Sequence, residues 1–296
     1  MLRIMIKRNS LLYFKDKGAF FTSMITPMIL LVLYVTFLAN VYKDTLLASL
    51  PQGMPFDESL IDGCVSGQLL SALLAVCCVT VAFCSNLIMV QDKVTGAKRD
   101  IDMTPAKPFT ISMSYFIATF LNTVLVCLLA AGACLIYISI VGWYMSAMDV
   151  LALLGDVVLL SLFGTALSSI INSFLSTQGQ ISGVSAIVSA VYGFVCGAYM
   201  PMSSFSEGLR TALCFLPGTY GTSLLRNHAL GGVFGEMEAL GVPGEFVDGI
   251  RDTLDCNLYV FENKIPMSLM YGILGLTVLL LIAAFVLLSA RKKKLK

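Results

Sequence analysis

Charge is scarce in this chain: Asp, Glu, Lys and Arg make up 12% of its 296 residues, against roughly 25% in an ordinary soluble domain. So few charges cannot cover a water-facing surface when 57% of the residues are hydrophobic, which excludes a soluble globular protein and makes lipid the main solvent. The net charge of +1 leaves no extended basic face for nucleic acid. Histidine occurs once, at His228, and a metal centre or metalloprotease built on paired histidines is thereby excluded; no catalytic, cofactor or metal site is predicted. No Gly-x-x-x-x-Gly-Lys-Ser/Thr run occurs, so no loop of that kind cradles nucleotide phosphates and the chain is not expected to hydrolyse ATP itself.

What is present is long apolar runs. A spanning helix needs about 20 apolar residues to cross about 30 Å of hydrocarbon. Six stretches qualify, at about 19–42, 63–90, 109–141, 150–171, 181–200 and 265–290, and none holds Lys or Arg. The third is read as one long helix. The chain is therefore predicted to be a single all-α polytopic membrane domain over 1–296. Of the nine cysteines, Cys77, Cys78, Cys84, Cys127, Cys134 and Cys196 fall in these runs as small apolar groups. Cys64, Cys214 and Cys256 lie near the boundaries; no spacing rule supports a Cys214–Cys256 bridge, and free thiols are expected.

Basic residues are retained in the cytoplasm, so their distribution orients the chain. The amino-terminal segment carries Arg3, Lys7, Arg8, Lys15 and Lys17, the loop after the second run Lys93, Lys98, Arg99 and Lys107, and the tail Arg291, Lys292, Lys293, Lys294 and Lys296. The alternate connections hold only Lys43, Arg210, Arg226, Arg251 and Lys264. Both termini are accordingly expected in the cytoplasm. Residues 2–17 wind into a helix with Leu2, Met5, Ile6, Leu12 and Tyr13 on one side and Arg3, Lys7, Arg8 and Lys15 on the other, suited to lie at the inner leaflet against anionic headgroups.

Polar residues inside the runs are mostly uncharged. Gln68, Asn86 and Asn122 read either as interhelical packing groups or as the lining of a path for an amphipathic substrate. Asp156 lies six residues into the fourth run and is expected near the headgroups, while His228 reads as an ordinary polar residue at the external boundary.

Two connections carry distinctive punctuation. In the loop 91–109, Thr95 is predicted to cap a helix over Ala97–Met103, which Thr104-Pro105 ends because the residue before proline leaves the helical region. The second run exceeds what a bilayer needs, so this short helix should stand clear of the membrane. After Met200, Pro201 is expected to stop the fifth span. Two amphipathic pieces of about 12 residues then meet at Pro217-Gly218, with Thr219 capping the second and Gly231-Gly232 stopping it; both are too short to cross, so an external re-entrant hairpin is predicted. Within the small external element to residue 264, Phe246, Ile250 and Leu254 share one helical face.

In these features the chain resembles the permease subunits of type-2 ABC exporters over nearly its whole length. That family places an interfacial elbow helix (1–18 here) before six spans, a short coupling helix in the first cytoplasmic loop, and a proline-rich external hairpin (within 201–264) before the last span. Gly96, Thr104 and Pro105 match the loop; Pro201, Phe205, Leu209, Pro217 and Arg226, followed by Leu230-Gly231-Gly232, match the hairpin. The acidic residues usual before the glycine are replaced by Gln91-Asp92-Lys93, and Ala97 stands where threonine is usual, so contact with an ATPase would use Asp92, Lys98 and Arg99 differently. The resemblance implies a permease in the cell membrane of a bacterium, without its own motor. It would pair with a second permease and dock two ABC ATPase subunits, which bind MgATP, through Asp92, Thr95, Gly96, Lys98, Arg99, Asp102, Thr104 and Pro105. It would move a drug, lipid-linked molecule or peptide outward. An ion-coupled carrier would need ionisable residues at membrane depth. A lipid-acting membrane enzyme would need a convergent polar cluster, for which Asp248, Asp252 and Asp255 are the candidates.

Overall fold

The computed structural model describes residues 1–49, 58–202, 205–260 and 263–291; the basic tail from Lys292 onward lies outside them. Helix α1 (Leu2–Lys15) precedes a first apolar helix made of α2 (Lys17–Leu33), a π-helical turn (Tyr34–Leu38) and α3 (Ala39–Ser49). Next come α4 (Glu58–Asn86), its short continuation α5 (Ile88–Val94), the loop helix α6 (Ala97–Asp102) and the single long helix α7 (Pro108–Val141). A Ser146–Asp149 capping box opens α8 (Ala147–Phe174), and a Thr177–Gln180 box opens α9 (Gln178–Val195). The chain closes with α10 (Glu207–Cys214), α11 (Pro217–Ala239), α12 (Gly244–Thr253), a ribbon of β1 (Tyr259–Val260) and β2 (Asn263–Lys264), and α13 (Met267–Arg291).

Among the described residues, five helices are long and apolar enough to cross a membrane: Phe20–Asp44, Ser59–Val94, Pro108–Val141, Ala147–Phe174 and Met267–Ala290. At the fifth expected position, α9 has 18 residues, about 27 Å of helix against about 30 Å of hydrocarbon. It ends at Val195, and the chain turns at Gly197 with φ +72°. Pro201 therefore does not stop this helix, since the turn precedes it.

Helix α4 is the axis of the bundle. Its most apolar stretch is 94% buried, against 19% for the first span and 22% for the last. The physical reason is composition: from Leu69 to Phe83 it presents Ala, Cys, Val and Leu on every side, so it has no face to give to solvent and is small enough for close neighbours. Helices α2, α7, α8, α9 and α11 all pack on it. A Cβ at Gly164 of α8 would lie 2.8 Å from the Cys78 carbonyl oxygen, so this contact depends on glycine.

The hairpin departs from expectation in its second arm. Helix α11 runs 23 residues, with 14 of them buried, and passes straight through Gly231-Gly232. These glycines do not stop it; a Cβ at Gly232 would overlap the Tyr144 carbonyl, so the residue serves a close crossing with the α7–α8 connection. Thr219 is not the cap either: the helix begins at Pro217, and the Thr219 hydroxyl donates to the Leu213 carbonyl at 2.8 Å. Helix α12 forms over ten residues, but its buried face is Val247 and Ile250, continued by Leu254 just past its end, and Phe246 is exposed. All nine cysteines are free and buried.

Candidate functional site

At the end of the bundle where α1, α5 and α6 meet, α4 breaks at Leu87 and restarts as α5. The break is anchored by Asn86, whose amide donates to Ser168 Oγ at 3.1 Å and Ser169 Oγ at 3.0 Å on α8. Helix α5 then holds two adjacent charges that reach in different directions. Asp92, buried, accepts a bidentate pair from Arg8 of α1, with Nη1 2.5 Å from Oδ2 and Nη2 2.8 Å from Oδ1. The Tyr115 hydroxyl of α7 donates to the same carboxylate. Lys93 Nζ donates to the carbonyls of Asn172, Ser173 and Leu175 at 3.1, 3.0 and 2.7 Å, satisfying the open carboxyl end of α8 where a cation is favoured by the helix dipole.

Arg8 lies on the helix side expected to meet anionic headgroups, and it is held instead by a protein carboxylate. Met5, Asn9 and Tyr13 form the buried stripe of α1, while Ile4, Leu11, Leu12 and Phe14 are exposed. The hydrogen bond to Asp92 raises the Arg8 pKa against the opposing effect of burial. Among the other basic residues of α1, Arg3, Lys7 and Lys15 are exposed.

From α5 the chain turns at Gly96, φ +85°, into α6. Thr95 does not cap α6: its hydroxyl donates to the Gln91 carbonyl at 2.9 Å, closing α5 instead, because the left-handed Gly96 itself is the residue before α6. No residue of α6 is buried. Lys98 pairs with Asp102 at 2.8 Å along the helix, and Arg99, Asp100 and Asp102 are exposed beside Met103, at 86% exposure. Thr104 donates to the Ile101 carbonyl, and Pro105 follows before Pro108 opens α7. This arrangement brings Asp92, Thr95, Gly96, Lys98, Arg99, Asp102, Thr104 and Pro105 to one end of the molecule, with a projecting helix hinged on a buried ionic joint.

The other sequence candidates lie elsewhere. Gln68, Asn86 and Asn122 are buried between helices; Gln68 donates to Tyr42 at 3.4 Å and Asn122 to Ser85 at 3.0 Å. Arg226 is fully buried at the opposite end, donating to the Gly197 carbonyl and lying 3.4 Å from Asp255. It joins α11 to the turn after α9, and the Met202 amide donates to the same Asp255 carboxylate at 2.8 Å. Burial pushes the Asp255 carboxyl above the usual carboxylate range, and Arg226 pulls it back in part; burial raises the Cys256 thiol to about 12. Asp248, Asp252 and Asp255 do not converge, for Asp248 meets Lys264, Asp252 meets Asn257 and Tyr259, and Asp255 meets Arg226.

Sequence reasoning missed one polar cluster altogether. Asp156, 2% exposed, accepts from Tyr271 at 2.5 Å and faces His228 Nδ1 at 2.6 Å, so α8, α11 and α13 are tied through one carboxylate. A signal existed: an acid within an apolar span needs a partner, and the chain's lone histidine was available.

A mostly helical bundle with five membrane-length helices among the described residues defines a polytopic membrane protein. Residues 62–289 match the family described as ABC-2 family transporter protein, so the chain belongs to the ABC-2 transporter family and is a membrane transport component. A search of curated proteins finds no match. The matched range takes in α6 and the hairpin, and it begins after α1 and the first span.

Proposed function

We propose that this chain is the permease subunit of an ATP-driven exporter, with α1 as its elbow helix, α9 as a sixth span and both termini in the cytoplasm. Two permeases and two separate ABC ATPase subunits would form the working assembly, with MgATP bound by the latter. The observation that carries this reading is helix α6, none of whose residues is fully buried, following the Asp92–Lys93 joint. Pressure on α6 would pass through α5 to α1 and α7 by way of Asp92, and to α8 by way of Lys93. Work is coupled only because nucleotide favours one arrangement of these helices over another. Gln68, Asn86 and Asn122, packed between helices in one chain, would meet a substrate when the helices part.

The test is co-purification with an ABC ATPase subunit. Reversing charge at Lys98 and Arg99, or placing proline at Ala97, abolishes association while the permease stays folded; undiminished association would refute the docking assignment. One observation favours an ion-coupled carrier instead, the buried Asp156 carboxylate in a spanning helix. Transport driven by a proton gradient with no ATPase present would establish that alternative.

A further inference from the structure

We propose that a small-ligand site lies at the end of the bundle opposite α6, between α10 and the segment that leads from α12 to β1. Its lining fits a zwitterion, a primary ammonium a few bonds from an anionic group. The inference goes beyond the permease reading and does not rest on it. A cavity of about 210 Å³ opens there, below the roughly 300–1,000 Å³ of a site for a drug-sized ligand. Arg210 lines it from α10, and Asp252, Asp255, Asn257 and Tyr259 line the other wall.

Two charged groups in this cavity lack partners. The Asp255 side chain is 6% exposed, yet its hydrogen bonds use one oxygen only. The Met202 amide donates to Oδ2 at 2.8 Å, and Arg226 Nη1 donates to the same atom at 3.4 Å. Among the described residues no donor reaches Oδ1, which is left for the cavity that the residue lines. A buried carboxylate oxygen without a donor carries a desolvation cost that a ligand N–H relieves. On the α10 side Arg210 is exposed, and among the described residues no hydrogen bond or ion pair occupies its guanidinium.

Charge decides the class of ligand. Arg226 offsets Asp255, and Arg210 offsets Asp252, so the lining as a whole is neutral. A bare anion meets two carboxylates and a bare cation meets Arg210, whereas a zwitterion gives its ammonium to the acidic wall and its anionic group to Arg210. Asp252 is oriented by Asn257 Nδ2 at 2.6 Å and the Tyr259 hydroxyl at 2.9 Å, both donating to Oδ1. A metal ion fits poorly: among the described residues no three acidic, histidine or cysteine side chains gather as its ligands, and Arg210 repels it. The same chemistry belongs to a free amino acid and to an aminophospholipid head.

The experiment titrates full-length permease in phosphatidylcholine nanodiscs, by calorimetry, with glycine and with glycerophosphoethanolamine. Ethanolamine, glycerol 3-phosphate and glycerophosphocholine, whose quaternary nitrogen has no donor, serve as partial ligands. At least one of the two zwitterions is expected to bind once per chain, with each partial ligand about tenfold weaker. R210A and D252N, both at exposed positions, should each lower that affinity about tenfold, the loss of one charge-assisted hydrogen bond. Glycerophosphoethanolamine binding that disappears in nanodiscs containing phosphatidylethanolamine assigns the site to the lipid head; binding that persists there, or binding of glycine, assigns it to a soluble zwitterion. No binding of either zwitterion at millimolar concentration would overturn the proposal. So would an affinity unchanged in R210A, or calcium binding that D252N abolishes and R210A leaves intact.

Discussion

Arg8 and Asp92, 84 positions apart in sequence, form a two-point ion pair in which each carboxylate oxygen faces its own guanidinium nitrogen, at 2.5 and 2.8 Å. The pair joins the amino-terminal helix to the root of the loop helix, and Tyr115 completes it from α7. A bidentate fork fixes orientation as well as distance, so α1 and α5 are expected to move as one body.

Replacing Arg8 by Lys keeps the charge and loses the fork. Thermal unfolding of the detergent-solubilised protein should show R8K and D92N each destabilised, and a double-mutant cycle should give a coupling of about 1–2 kcal/mol, below that of a fully buried pair because the Arg8 side chain is 34% exposed. Additive effects of the two substitutions would show that the fork adds nothing beyond the charge that lysine retains.

Gly232 should tolerate nothing larger. In G232A the added methyl meets the Tyr144 backbone, which cannot swing aside as a side chain would, and a loss of about 2–3 kcal/mol is expected. Gly235, with open space around it, is the control: G235A should be neutral or slightly stabilising in the same melt, since alanine favours helix.

Asp255 links stability to pH. Its folded-state pKa is raised, chiefly by burial, so its contribution is complete below the unfolded value and is lost as pH rises through the folded one. Relative to D255N, the wild type should therefore lose stability from about pH 4 upward until the carboxyl is ionised. Arg226→Leu removes the opposing cation and should enlarge that loss. A flat difference between wild type and D255N would contradict the burial effect.

His228 is the chain's one histidine, so ¹⁵N-histidine labelling gives a single imidazole spectrum. With the Asp156 carboxylate accepting at Nδ1, the neutral ring should carry its proton on Nδ1, since a ring nitrogen's protonation is set by the bond it makes. D156N should shift the ring toward the Nε2–H form. An Nε2–H ring in the wild type would mean that the contact is not a hydrogen bond of this kind.

The helices of this protein were legible where the sequence repeats a simple physical rule: apolar length marked six runs, five of which are helices of membrane length among the described residues, and Thr104-Pro105 follows the end of the loop helix as expected. Punctuation misled where tertiary contact outweighs local preference. Gly231-Gly232 reads as a stop and serves a crossing, and Thr95 closes the helix before it instead of opening the one after. The fifth helix is shorter than its apolar run because Gly197 turns the chain before Pro201 does. The ionic joint was out of reach, since nothing local to Asp92 or Lys93 announces partners on α1, α7 and α8, and the union of Asp156 with His228 and Tyr271 depends on three helices meeting.

The docking claim is tested most directly at Met103, 86% exposed at the end of α6, because the nine native thiols are buried and a cysteine placed there is the reactive one. In cells co-producing an ABC ATPase, untagged Met103→Cys should stay untouched by a membrane-impermeant thiol reagent added outside, and the same variant carrying a short photoreactive tag should cross-link to the ATPase subunit. Labelling from outside, or cross-links that never include an ATPase, would contradict it.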